Sequence, residues 1–364
     1  MLHCVHMRVA IAHYWLLKMR GGEKVVEALC RLLPDADIFT LFYDPASVSE
    51  TIRSRRVTAS FLNPGRRFYR ALLGFMPMAL ESFDLRGYDL VISNESGPAK
   101  GVLTRAGTRH ICYCHTPMRY LWHLYPEYRT EWSPRWQRFV MAPVTNYLRV
   151  WDYASAARVD DFVASSHNAR RRIWKCYRRE SRVIYPPVAV ERFTWKPPEG
   201  YFLAVGELVS YKRLDYAVRS FSRAGLRLRI AGDGPDYRRL RKMAARCIEF
   251  CGRVSDDDLI ELYARSRALI MPGEEDFGMT AVEAVASGKP VIALGHGGVL
   301  ESVPAEGAFF YSQPNEADLE DAVRQFEAAE ASIPRDRLRE SAARFSEEEF
   351  ARAMREVIEI VQAR

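Results

Sequence analysis

A chain of 364 residues, 48% hydrophobic and 27% charged, has an ordinary globular composition and the length for two domains with full cores. It contains no apolar run near the ~18–20 residues of a membrane span, and residues 1–17 lack the basic flank and continuous apolar stretch of a signal peptide. Seven cysteines, scattered and odd in number, argue against a disulfide framework and fit a reducing cytoplasm, while a net charge of +7 excludes little until it is located.

Short apolar runs alternate with amphipathic segments, which predicts an α/β fold of parallel sheets with helical crossovers. The first strand is expected over 8–12, so Met7 is an alternative start; others follow over 38–42, 89–93, 109–114 and 161–165. Tyr185-Pro186-Pro187 then enforces extended backbone and marks a boundary. Beyond it, strands are expected over 201–206, 227–231, 268–271, 290–294 and 307–311. Two doubly wound, Rossmann-like domains, 1–185 and 186–345, are predicted to face one another across a cleft. A last amphipathic helix, about 346–364, carries Phe350, Met354, Val357 and Ile360 at helical spacing.

In such sheets ligands sit beyond the carboxyl ends of the strands, and the residues with chemistry fall there. Gly21 and Gly22 precede a helix expected near Glu23, where paired glycines let a ligand approach the backbone amides. His115 follows the strand 109–114. Cys112 and Cys114 lie two apart on that strand, with no second cluster at metal-ligand spacing. Lys212 and Arg213 open the helix after 201–206, where cations oppose the helix dipole and so suggest a diphosphate. Gly232-Asp233-Gly234-Pro235 and Phe250-Cys251-Gly252-Arg253-Val254 read as loops framing a nucleotide base, with Gly234 and Arg253 as contacts. Asp35-Ala36-Asp37 and Asp256-Asp257-Asp258 read as a strand entry and a helix cap, so no metal is expected.

Glu283 is flanked by Ala and Val on a short helix ending at Gly288, and burying its carboxylate requires donors. Glu275 lies just before that helix. Phe277, Gly278 and Met279 supply amides at its start, suited to a phosphate, while the two carboxylates accept from sugar or ribose hydroxyls. Arg53, Arg55, Arg56, Arg66, Arg67 and Arg70 interleave with Phe61, Phe68, Phe75 and other apolar residues, a mixture that suits an anionic membrane surface. No nucleic-acid recognition motif accompanies it.

The frame Glu-x-Phe-Gly-x-x-x-x-Glu-Ala from Glu275, with Gly21-Gly22-Glu23, His115-Thr116-Pro117, Tyr185-Pro186-Pro187-Val188 and Tyr211-Lys212-Arg213, resembles the retaining GT-B glycosyltransferases of the group 1 (family 4) type. The similarity is greatest to bacterial O-antigen and exopolysaccharide mannosyltransferases. It implies an N-terminal acceptor domain completed by the last helix, and a C-terminal nucleotide-sugar domain. The implied donor is a nucleotide sugar, GDP-mannose first and GDP-fucose or UDP-glucose as alternatives; the implied acceptor is a lipid-linked oligosaccharide. The enzyme would be cytoplasmic, peripheral at the inner face of the cell membrane, and independent of metal. Catalytic roles fall on His115, Lys212 and Glu275, and donor binding on Gly21, Gly22, Arg213, Gly234, Arg253, Phe277, Gly278, Met279 and Glu283. One departure stands out: Glu207 follows Gly206 where the family places an arginine, which leaves open a noncatalytic sugar-nucleotide-binding subunit.

Overall fold

The computed structural model describes residues 7–130 and 135–362, the side chains of 130, 135–141 and 362 excepted. Residues 1–6 and 363–364 of the predicted domain and helix bounds lie outside the described residues. Two compact units are present: one runs to Pro187 and resumes at Phe350, and the other is Val188–Glu349.

The first unit holds a parallel sheet of seven strands, β1 (Val9–Leu16), β2 (Asp37–Tyr43), β3 (Val57–Ala59), β4 (Leu90–Glu95), β5 (Arg109–Cys114), β6 (Asp161–Ala164) and β7 (Ser181–Val183). Their order is β3-β2-β1-β4-β5-β6-β7. The central strands are buried on both faces, as a sheet covered by helices on either side requires; β1 buries seven of its eight residues. Helix Gly21–Leu32 packs Val25, Val26, Leu29 and Cys30 onto one face, in a cluster that also takes Phe350, Met354, Val357, Ile358 and Val361. Those last five belong to helix Glu347–Gln362, which therefore completes the first unit. Ile360, expected on its apolar face, is instead exposed, with Ile358 and Val361 buried in the cluster. A straight helix rotates by about 100° per residue, so position 360 falls outside the stripe set by 350, 354 and 357.

The second unit holds β8 (Phe202–Val205), β9 (Leu228–Ala231), β10 (Ile248–Gly252), β11 (Leu269–Met271), β12 (Val291–Leu294) and β13 (Ala308–Tyr311), in the order β10-β9-β8-β11-β12-β13. Every pairing is parallel. Three strands of the two sheets were not expected from sequence: β3, β7 and β10. Residues 250–252, read as loop, instead end β10.

Candidate active site

In the second unit β8 ends at Val205, and Gly206 turns the chain with φ 138°, a conformation that disfavours any side chain. A Cβ there would also come within 2.5 Å of Lys212 Nζ, so the bare backbone makes room for that ammonium. Lys212 closes the short turn Ser210–Lys212, and its Nζ lies 2.8 Å from Glu275 Oε1, both side chains less than one-fifth exposed. Glu275 comes from the loop after β11, the strand beside β8 in the sheet. A backbone bridge to Gly297, with Gly298 N–H donating to Glu275 O at 2.7 Å, fixes that loop. Lys212, Glu275, Pro272, Gly273 and Thr280 line one recess.

Three residues on, Gly278 adopts φ 86° and starts helix Met279–Ala286. Phe277 is buried with its ring against Phe345, 5.4 Å between centroids, which anchors the turn and holds the amides at the helix start in place. Glu283 lies one helical turn further in, 5% exposed, and Tyr263 Oη donates to its Oε2 at 2.8 Å. A hydroxyl donor from the neighbouring helix Asp256–Arg265 thus meets the requirement that burial of the carboxylate imposed.

Arg213 sits apart from this pair. Its backbone is left-handed (φ 50°), its guanidinium stacks 3.9 Å over the Tyr216 ring, and Nε lies 3.4 Å from Asp215 Oδ1. Gly234 packs against the backbone of Leu208, where a side chain would collide. Arg253 is exposed just past β10. Ser255 caps helix Asp256–Arg265, accepting from Asp258 N, and Asp37 opens β2 and accepts from Tyr88 Oη. Among the described residues no group of three or more His, Cys, Asp or Glu side chains could hold a metal ion.

In the first unit His115 follows β5 directly, and Asn94, near the end of β4, organises its surroundings. Asn94 Nδ2 lies 2.8 Å from Gly22 O, which only accepts, so the amide nitrogen faces Gly22 and Oδ1 faces His115 Nε2 at 2.8 Å. The proton of the neutral imidazole is therefore on Nε2, and Nδ1 carries the lone pair. Burial, with His13 and Arg119 adding repulsion, pushes this imidazole down to about 3, so it is neutral at working pH. Gly21 and Gly22 lie inside the first turn of helix Gly21–Leu32, not before a helix at Glu23. A Cβ at Gly22 would stand 3.2 Å from Tyr14 Oη and 3.8 Å from His115 Nε2. Beneath lie two buried groups, His13 and Glu23, whose Nε2 and Oε1 are 3.6 Å apart.

Beside Asn94 the sequence reading missed a buried ionic cluster. Lys100 Nζ pairs with Asp152 and lies 3.1 Å from Glu95 Oε1, all three side chains fully buried. Trp122 Nε1 and Tyr177 Oη donate to Asp152 Oδ2 at 2.7 and 2.8 Å. Burial drives the Glu95 carboxyl up to about 7, against the pull of Lys100. The available signal was polarity where none is expected: Ser93-Asn94-Glu95 ends an otherwise apolar buried strand, and His13 interrupts another.

Residues 19–192 match the model Glycosyltransferase Family 4, and residues 189–345 match Glycosyl transferases group 1. The D-rhamnosyltransferase WbpZ of Pseudomonas aeruginosa is 32% identical over 155 residues, 37% of this chain and 41% of that protein. The O-antigen chain mannosyltransferase RfbU of Salmonella typhimurium is 27% identical over 202 residues, 52% of this chain and 57% of that protein. The matched stretch thus spans between two-fifths and three-fifths of these relatives. Anabaena HepE, solved in complex with UDP and glucose, superposes with a TM-score of 0.72 at 16% identity, covering 97% of this chain and 100% of that one. With the two family models together spanning residues 19–345 and strand-end loops built as described, the chain belongs to the group 1, family 4 glycosyltransferases and has their GT-B fold.

Proposed function

We propose that this protein is a retaining glycosyltransferase that moves mannose from GDP-mannose onto a lipid-linked oligosaccharide in bacterial surface polysaccharide synthesis. It would work at the cytoplasmic face of a membrane. Among the described residues no helix is long and apolar enough to cross one.

The observation that carries this reading is the Lys212–Glu275 pair at the ends of adjacent strands. A cation held ready beside a carboxylate suits a site where negative charge develops on a leaving diphosphate while a sugar is gripped. Lys212 offsets the diphosphate, and the amides of Phe277, Gly278 and Met279 bind its oxygens. Glu275 accepts from the sugar hydroxyls. Glu283, oriented by Tyr263, accepts from the ribose. His115, neutral and with Nδ1 as acceptor, takes a hydrogen bond from a donor-sugar or acceptor hydroxyl and orients it. The acceptor attacks from the face the diphosphate leaves, a donor phosphate oxygen takes its proton, and configuration is retained. With Lys212 as the counter-charge, no metal is required.

Purified protein supplied with GDP-mannose, GDP-fucose or UDP-glucose and a short acceptor tests this. Sugar transfer with GDP-mannose, retained α-configuration by NMR, and activity undiminished by chelator are expected. Transfer only from a uridine donor would replace the mannose assignment, and an inverted product would refute retention. Glu207, standing where the family has arginine, favours one rival, a noncatalytic sugar-nucleotide-binding subunit. Nucleotide binding without transfer or donor hydrolysis would select it.

A further inference from the structure

We propose that Asn94 is a positioning residue for the reaction: its one carboxamide sets the proton of His115, ties that ring to the backbone of Gly22, and sets the proton of His13 behind them. This deepens the proposed role of His115 and rests on it, yet the ring's tautomer is read without any sugar transfer.

Three strands deliver the parts. β4 lies between β1 and β5; His13 of β1 stands opposite Asn94 in the register, and β5 leads directly into His115. Gly22, in the first turn of helix Gly21–Leu32, brings its carbonyl to the same amide. Asn94 and His13 are sealed from solvent, so their polar atoms must find partners inside the protein.

A carboxamide offers two N–H donors and one accepting oxygen. One N–H goes to Gly22 O at 2.8 Å, and Oδ1 takes the proton of His115 Nε2, also at 2.8 Å. The second N–H faces His13 Nδ1 at 3.2 Å. His13 Nδ1 is therefore the acceptor, which in a neutral imidazole leaves the proton on Nε2, 3.6 Å from Glu23 Oε1. The opposite tautomer would donate from Nδ1 to the Asn94 backbone carbonyl at 3.1 Å. It would also set a bare Nε2 against a buried carboxylate and strand one amide proton, which costs more than that bond returns.

Aspartate has the same outline and none of the donors, so the position needs an amide. A neutral amide also suits His115. Burial already pushes that ring down to about 3, with His13 and Arg119 as nearby basic groups, and an amide oxygen brings no charge to draw a proton back. Tyr113, edge-on to the ring at 5.2 Å, and Tyr14, whose Oη shares the space over Gly22 with His115, are further titratable neighbours. With Nε2–H held by Oδ1, Nδ1 is the atom left to accept from a ligand hydroxyl, and the tie to Gly22 fixes where the ring stands.

The full chain, labelled with ¹⁵N-histidine, is followed by NMR between pH 4 and 8, the His115 signals being those lost in H115Q. Wild type is expected to hold His115 as the neutral Nε2–H tautomer throughout. N94D gives the ring a carboxylate partner and should bring its titration up into this range, while N94A should mix the two tautomers. Steady-state rates with the donor that wild type uses should fall about 10²-fold in kcat for N94D, with KM for the donor little changed. The N94D rate profile should gain an inflection that wild type lacks and that N94D/H115Q loses. A merely structural Asn94 would lower the melting temperature and leave tautomer and rate profile as in wild type, which would overturn the proposal. Wild-type His115 protonated on Nδ1 would overturn it even if neither variant folds. The expected tautomers in a protein inert toward every donor would leave these hydrogen bonds standing and remove the transferase reading instead.

Discussion

Lys212 Nζ and Glu275 Oε1, 2.8 Å apart, join the turn after β8 to the loop after β11. The fit is close. A Cβ on Gly206 would meet the Lys212 ammonium at 2.5 Å, and one on Gly273 would meet Lys212 Cα at 2.6 Å. Both side chains are less than one-fifth exposed, yet they line a recess where a ligand can reach them. On the proposed reading, the value of the pair lies in holding both groups in place before a donor arrives.

The first prediction follows from that geometry and from where Arg213 points. Lys212→Ala should lower turnover by about 10²–10³-fold, the usual loss when one preorganised electrostatic group is removed. Arg213→Ala should cost far less, because its guanidinium is stacked on Tyr216 and faces Asp215. Glu275→Gln should lose turnover while keeping affinity for the nucleoside diphosphate. Steady-state rates and calorimetric titration with the nucleotide check all three; equal losses for Lys212 and Arg213 would mean that Arg213 reorients in the working enzyme.

A second prediction separates binding from folding at Glu283. Its carboxylate is buried and accepts from Tyr263 Oη. Tyr263→Phe removes that donor without changing shape and should destabilise the protein by about 1–3 kcal/mol in urea titration. Glu283→Gln should weaken nucleoside diphosphate binding by about 1.5–3 kcal/mol through lost charge-assisted contacts. An unaltered nucleotide affinity in Glu283→Gln would confine that residue to the fold.

Ten strands were legible because buried parallel strands write themselves as apolar runs followed by Gly or polar breaks. The three missed strands share a position. β3, β7 and β10 are edges, half-buried and short, so Ser181-Arg182-Val183 carries no apolar run and Glu249 interrupts the other edge's pattern. The placement of Lys212 and Glu275 beyond the ends of β8 and β11 was readable from local spacing. Asn94 was not. Its role depends on Gly22, 72 residues away, and His115, 21 away, and such contacts have no local period. The same holds for Lys100 and Asp152, 52 residues apart.

A third prediction concerns acid. His110 is fully buried with Nε2 2.8 Å from Ser93 Oγ, and burial pushes it down to about 4; His115 is pushed down to about 3. Both lie below the ~6.5 of an unfolded histidine, so the unfolded chain binds more protons as pH falls. Stability contributed by the neutral rings is present above 6.5 and is lost on acidification toward 4. His110→Asn should flatten that slope in urea titrations run across this range. Rate profiles between pH 5 and 8 should show no inflection from His115, which stays neutral throughout; one that moves in His115→Gln would contradict the assigned state.

The final prediction concerns the buried cluster at the end of β4. Lys100 pairs with two buried carboxylates, Glu95 and Asp152; its single charge offsets one of them, and burial pushes Glu95 toward its protonated form. Lys100→Met should cost about 3–5 kcal/mol, because it strands buried negative charge, whereas Glu95→Gln/Lys100→Met/Asp152→Asn should recover much of the loss. The pH dependence runs opposite to that of the histidines. Glu95 is raised to about 7 against ~4.5 for the free group, so its contribution is full below 4.5 and declines as pH rises through 7. Glu95→Gln should abolish that decline while leaving the acid-side loss from His110 untouched, and His110→Asn should do the reverse. Urea midpoints of both variants at half-unit intervals from pH 4 to 8 separate the two. If Glu95→Gln keeps the wild-type decline above pH 4.5, Glu95 is ionised throughout and Lys100 compensates its burial in full.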